Sequence, residues 1–133
     1  MTDAEIEAYG RSINEAFDNA GRAVEDLMVD ISSVRPVVDH EVRFIAKDLC
    51  SLLYQWIEAL ILLQDSEGLL FSEFSCTISQ TNAGEYELMA KLSGEVFDAE
   101  RHEQKTAIKA PTFHDMKISE SGARVTMKFL VDL

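Results

Sequence analysis

Few side chains in this sequence have the types and spacing that catalysis or metal binding requires. The three histidines are His40, His102 and His114. No two of them form H-x-x-x-H or H-E-x-x-H, so the helical zinc-hydrolase pattern is missing. Glu103 follows His102 and Asp115 follows His114, which suggests acid–base pairs. Neighbours in a strand point to opposite faces, however, and isolated histidines in polar loops are expected to be solvated. There is no Gly-rich phosphate loop and no G-x-S-x-G elbow, and nothing nominates the nucleophile of a Ser/His/Asp triad. Cys50 and Cys76 form no C-x-x-C and lie in apolar runs, so they read as buried free thiols rather than as a disulfide framework or a closed zinc site. The run Val131-Asp132-Leu133 carries more weight. Its strand leads Asp132 and an oxygen of Leu133 to one place. Two oxygen donors one residue apart begin a site for a hard cation such as Ca²⁺. Asp3, at the head of the first strand, would complete it if the first and last strands lie side by side. An ordinary solvated strand end accounts for the same residues.

The elements that must position these groups are legible from periodicity. Residues 5–9 alternate polar and apolar before Gly10, a short strand. Ser12 and Glu15 make an S-x-x-E capping box. Ile13, Phe17, Ala20, Val24, Leu27 and Met28 then mark an amphipathic helix over about 12–30, with Asp18, Arg22 and Glu25 on its other side. A second strand covers Val42–Ala46. Asp48 is the N-cap of a second helix, apolar on nearly every side from Leu49 to Leu63 and therefore the core helix. Residues 74–79 and 86–92 read as a hairpin, with Gly94 allowing a bulge or break. The stretch 98–105 is a loop or one helical turn. A strand is expected around 106–110, Pro111 marks an edge or bulge, and 112–118 continues extended. A final strand runs from Val125 to the last residue. The order β-α-β-α-β-β-β-β is α+β: a mixed or mainly antiparallel sheet of six or seven strands with two main helices packed on it.

The chain has 133 residues, 47% of them hydrophobic, which suits a single domain over 1–133 with a real core. Acidic residues number 24 against 12 basic, a net charge of −12. That balance opposes direct nucleic-acid binding and docking on an anionic membrane. It suits a basic protein partner or a cation, and also plain solubility. The N-terminal residues lack the basic start and apolar stretch of a signal peptide. The apolar run Leu49–Leu63 is interrupted by Ser51, Gln55 and Glu58 and is too short to span a bilayer. The sequence reads as cytoplasmic.

Several motifs together resemble one family. Tyr9-Gly10-Arg11-Ser12-Ile13-Asn14-Glu15-Ala16-Phe17-Asp18-Asn19-Ala20 is similar to the Y-G-x-[ST]-[LI]-x-E-A-F-x-x-A opening of the archease family. Residues 26–30, 52–60 and 65–71 fit the end of that family's first helix, its core helix and the turn that follows. Lys109-Ala110-Pro111-Thr112-Phe113-His114-Asp115-Met116 resembles its V-K-A-x-T-[YF]-H-x-M segment, and Asp132-Leu133 its terminal D-[IL]. The resemblance runs through the whole chain in order.

The resemblance implies a function that composition and spacing do not reach. It implies a non-enzymatic activator of an RtcB-type tRNA-splicing RNA ligase, promoting guanylylation of the ligase and its multiple turnover in tRNA processing. The alternative it implies is a chaperone-like module for a tRNA methyltransferase. It also implies a divalent cation, calcium, held by Asp3, Asp132 and Leu133, with Lys109, Asp30 and His114 as partner-contacting residues. The family's H-T-A-D motif is represented here by Met1-Thr2-Asp3, without the histidine, so Asp3 is expected to be held less rigidly than the rest. No catalytic residue is implied.

Overall fold

Small residues on the first helix decide how the molecule is layered. The computed structural model describes residues 2–133. Helix α1 (Ile13–Met28) turns Ala16, Phe17, Ala20, Gly21 and Val24 inward. Helix α2 (Leu49–Glu67) crosses it at that point. Trp56 of α2 is fully buried, and its Nε1–H donates to the Phe17 carbonyl at 2.9 Å. A Cβ on Gly21 would come within 2.7 Å of the indole. A mid-helix glycine costs about 1 kcal/mol relative to alanine. Here it lets the largest side chain of the core fill the crossing.

The crossed helices contact both of the three-stranded antiparallel sheets, and one core includes residues of both. In order, the strands are β1 (Asp3–Gly10), β2 (Val38–Ala46), β3 (Leu69–Gln80), β4 (Tyr86–Val96), β5 (Ala110–Ser121) and β6 (Arg124–Asp132). One sheet has the order β1-β6-β5 and the other β2-β4-β3. The α+β class, the two helices and the element order are as the sequence implies. The strands divide between two sheets, because α1 lies against β1 and β3 while α2 lies against β5 and β2. Val125, Met127, Phe129 and Val131 of β6 all enter the shared core, as their alternation requires.

Element ends follow from local chemistry. Ser12 Oγ caps α1 by accepting from the Glu15 N–H at 3.1 Å, and the Glu15 carboxylate reaches back to the Arg11 N–H. The Asp48 carboxylate caps α2, and Gly68 ends it in the left-handed conformation at φ 64°. The strand expected around 106–110 begins only at its end, where β5 starts at Ala110. Ahead of it, backbone N–H groups serve the end of α1: Lys105 donates to the Met28 carbonyl and Thr106 to that of Leu27. A helix end leaves its last carbonyls unpaired, and α1 has no basic residue in its last turn. The bulge expected at Gly94 lies on the partner strand. The β3–β4 register slips between Phe71 and Glu73, and the Leu70 carbonyl passes so close to Gly94 that a Cβ there would overlap it at 1.7 Å.

Candidate functional site

Strand β1 and helix α1 run in opposite directions over similar lengths. At roughly 3.3 Å per strand residue and 1.5 Å per helix residue, each covers about 25 Å. The end of α1 therefore returns to the end where β1 began. Strand β6 is antiparallel to β1, with Asp3 directly opposite Asp132 and the pairing unbroken to Gly10 and Val125. Asp3, Asp132 and Leu133 gather at this pole. The Lys109 N–H donates to the Asp132 carbonyl at 2.8 Å and so belongs to it. Asp30, two residues beyond α1, lies on the same side and caps a short 3-10 turn, Ile31–Ser33.

Register sets how near the two aspartates come. The Leu133 N–H donates to the Thr2 carbonyl at 3.0 Å, so Thr2 and Leu133 are the hydrogen-bonded pair of the ladder. Asp3 and Asp132 are then the next, non-hydrogen-bonded pair. In such pairs the Cα atoms stand about 4.5 Å apart and the side chains share one face. Asp132 Oδ1 is buried with no hydrogen-bond partner. Its carbonyl is committed to Lys109, so the free lone pairs belong to the carboxylate. Two facing carboxylates are anionic oxygen donors, the kind that suit a hard cation and not a soft one. Among the described residues, no group of three or more His, Cys, Asp or Glu side chains converges anywhere.

Lys109 and Asp30 are both solvent-exposed. The Ser32 hydroxyl and N–H hold the Asp30 carboxyl below its ordinary value. His114 stands apart from the pole, four residues along β5 from Ala110. It occupies the stretch where the β5–β6 register slips between Thr112 and Lys117. Asp115 adopts φ 58° there, so the alternation of faces fails and His114 Nε2 comes within 3.3 Å of the Asp115 carboxylate. The sequence rule that strand neighbours diverge does not hold in this bulge. Both side chains are largely exposed.

His102 is the histidine the sequence misplaces. It is not solvated but buried, and both ring nitrogens are engaged. Nδ1 accepts from the Asp98 N–H at 2.9 Å, so Nε2 carries the proton and donates to Glu95 at 2.9 Å. Its partner is Glu95 of β4, not the adjacent Glu103. The Glu95 carboxylate also accepts from the Arg35 N–H at 2.7 Å and from the Arg101 guanidinium. Burial works against its charge, yet these three donors hold its pKa down to about 2. With no free ring nitrogen, His102 fastens the 98–102 turn to β4. The Glu95–His102 spacing of seven, across a strand end and a turn, carries no sequence signal.

A second polar group missed in the sequence lies along α1, on the face that reads as solvent. Asn14 and Asp18 accept from the main-chain N–H groups of Ile78 and Cys76 at 2.8 and 2.6 Å. Four helix residues rise about 6.0 Å and two strand residues about 6.6 Å, so an i, i+4 pair matches an i, i+2 edge. Further along, Glu25 is fully buried; the Phe71 main-chain N–H approaches its carboxyl, but neither oxygen makes a well-formed hydrogen bond. Burial pushes its pKa up to about 8. Cys76, beneath Asp18, is a buried free thiol raised well above the usual range by burial, and Cys50 is free and half-buried.

Comparison with known proteins places this arrangement. The model of the archease protein family (MTH1598/TM1083) matches residues 1–133. The chain belongs to the archease family. It is 45% identical to the archease of Sulfurisphaera tokodaii over 131 residues, 98% of this chain and 92% of that one. It is 42% identical to that of Sulfolobus acidocaldarius, with the same coverage. Among solved structures, the solution structure of Methanobacterium thermoautotrophicum protein 1598 superposes with a TM-score of 0.87 at 33% identity, over all of this chain and 94% of that one. The crystal structure of a Thermotoga maritima archease, described as a possible chaperone, gives a TM-score of 0.62 at 17% identity. It covers 98% of this chain and 90% of its own, a likeness of archease fold alone. No helix among the described residues is long and apolar enough to cross a membrane.

Proposed function

We propose that this archease is a non-enzymatic activator of an RtcB-type tRNA-splicing RNA ligase, promoting the ligase's guanylylation and multiple turnover. The observation that carries the reading is the facing Asp3–Asp132 pair with its orphaned buried oxygen, in a chain that belongs to the archease family throughout. The carboxylates and an oxygen of Leu133 hold a divalent cation, calcium, whose charge offsets their mutual repulsion. Lys109 is fixed through its main chain to Asp132, and its side chain is exposed at this pole. With Asp30 it offers both signs of charge to a nucleotide-using partner, and His114 extends that contact along β5. An acidic protein docked on a basic, nucleotide-binding enzyme gains on-rate from long-range attraction. The protein works in the cytoplasm.

The test is joining of exon-like RNA by the cognate ligase with GTP, under multiple turnover, with and without this archease. Raised turnover and raised ligase guanylylation are expected, both lost in Asp132→Asn and weakened in Lys109→Glu. An archease that never raises either quantity overturns the reading. A chaperone-like module for a tRNA methyltransferase is the second reading, favoured by the description of the Thermotoga relative. Suppression of methyltransferase aggregation without any effect on ligation would select it.

A further inference from the structure

The four edge strands of the two sheets are not treated alike. An uncovered edge is a template for pairing with another chain, and proteins blunt it with bulges, prolines, charge or a covering element. On β3, Asn14 and Asp18 of α1 occupy the outer N–H groups. On β1, α1 packs alongside, and the Asn19 amide donates to the Tyr9 carbonyl at 2.6 Å. On β5, Pro111 and the 112–117 irregularity interrupt the ladder, and Phe113 stacks on Tyr54 of α2 at 4.4 Å. Strand β2 carries charge and has α2 against one face, but no proline, no bulge and no side chain on its outer main-chain groups. Its nine residues pair with β4 without a register shift and include no proline. Among the described residues, no other group is hydrogen-bonded to its outer edge.

The free groups can be named. Cys76 turns its N–H away from β4, so Cys76–Ala90 is a non-hydrogen-bonded pair of β3 and β4. Ala90 therefore bonds to the other side, to Val42 of β2. Alternation then leaves the main-chain groups of Asp39, Glu41, Arg43 and Ile45 facing outward. Beside them runs a groove between β2 and α2, floored by Val42, Phe44, Ala59 and Leu63. Leu62 walls it and is 52% exposed. Glu58 and Glu67 stand at the groove's rim, and Asp39 and Glu41 on the strand's other face. Of the nearby cations, Arg43 is already paired with Glu87, at 3.0 Å from Nε, and Lys91 stands across from Glu41 on the strand's other face, so Asp39, Glu58 and Glu67 carry most of the negative charge offered to a partner.

We propose that the β2 edge and this groove form a docking site for an extended segment of a basic partner protein, one that alternates apolar residues with Lys or Arg. The segment adds a strand to β2. Its apolar side chains enter the groove beside Phe44 and Leu62, while its cations meet Asp39 and Glu41. Charge selects this occupant over a second copy of the chain. Each copy carries −12 and the same carboxylates at this edge, so edge-to-edge pairing of copies sets like charges against each other. The site uses none of the Asp3–Asp132 cluster, so it holds or fails independently of the cation and of the ligase.

The probe is a short, blocked peptide alternating lysine and valine, compared with its glutamate–valine counterpart. Binding is read by calorimetry, and its position by residue-level amide exchange. The lysine peptide is expected to bind and to protect the amides of Glu41, Arg43 and Ile45. Leu62→Lys should weaken it about tenfold, and Glu58→Lys should weaken it in the same direction, with thermal unfolding of both variants unchanged. Equal binding of the glutamate peptide, protection elsewhere, or no binding overturns the proposal. So does a concentration-dependent dimer whose β2 amides are protected without peptide.

Discussion

Replacing the buried Glu25 by glutamine should change the pH dependence of stability far more than its size. In the folded chain this carboxyl is fully buried with neither oxygen in a well-formed hydrogen bond, and its pKa is raised from 4.5 to about 8. The folded state therefore holds the proton more tightly than the unfolded state does. That advantage is complete below about pH 4.5 and is lost as pH rises toward about 8, where both states are ionised. Each unit of separation is worth about 1.4 kcal/mol. Between pH 5 and pH 8 the native chain should thus lose about 3–4 kcal/mol from this group alone. Glu25→Gln keeps the shape of the protonated acid and does not titrate. Near pH 5 the two proteins should be similar. At pH 8 the variant should be the more stable by about that amount, or about 10 °C in Tm for a chain of this length. Urea unfolding followed by the fluorescence of Trp56, the chain's one tryptophan, gives both curves. Parallel stability–pH profiles for the two proteins would refute the reasoning.

The remaining predictions concern the pole, the histidine network and the helix crossing. Asp132→Asn removes one of two facing carboxylates outside the apolar core, so unfolding without cation should change by less than about 1 kcal/mol. Calcium-dependent stabilisation in a thermal scan should disappear. Glu95→Gln weakens charge-assisted bonds to Arg101, His102 and the Arg35 N–H, and should cost about 2–3 kcal/mol at pH 7 by urea titration. In the native chain the contribution of Glu95 is present above about pH 4.5 and lost as pH falls toward about 2, so the variant's acid limb should be flatter. Gly21→Ala gains about 1 kcal/mol of helix propensity but drives a methyl group to 2.7 Å from the Trp56 indole. A net loss of about 1–2 kcal/mol in chemical unfolding is expected.

What the sequence conveys depends on whether one element carries the signal. The two helices were legible because the signals sit within each one: Ser12 and Glu15 at one start, Asp48 at the other, and an apolar face between. The pairing of Asp3 with Asp132 was legible as a condition on strand order, and the structure meets it. The strand expected over 106–110 starts only at Ala110 because its first residues follow the carbonyls ending α1, which propensity does not register. Asp18 and Glu25 read as solvent-facing because periodicity separates apolar from polar faces and is blind to a strand edge lying along the polar one. His102 read as solvated because its partner, Glu95, comes from another element. The division into two sheets likewise depends on which strands each helix covers, a contact between distant segments.

The closure of β1 against β6 has a consequence for the order in which the chain matures. Every pairing of the β2-β4-β3 sheet lies between residues 38 and 96, so that half can form while later residues are still being made. The first strand has no such option, because its ladder partner is the last strand of the fold. Contacts between the far ends of a chain are slow to close, and β1 waits with its acidic residues Asp3, Glu5 and Glu7 in water. Those charges keep the waiting strand from sticking to others. By the same argument the Asp3–Asp132 pair closes later than the pairings within the β2-β4-β3 sheet. On the proposed function, a cation bound at Asp3 and Asp132 would hold that late closure shut.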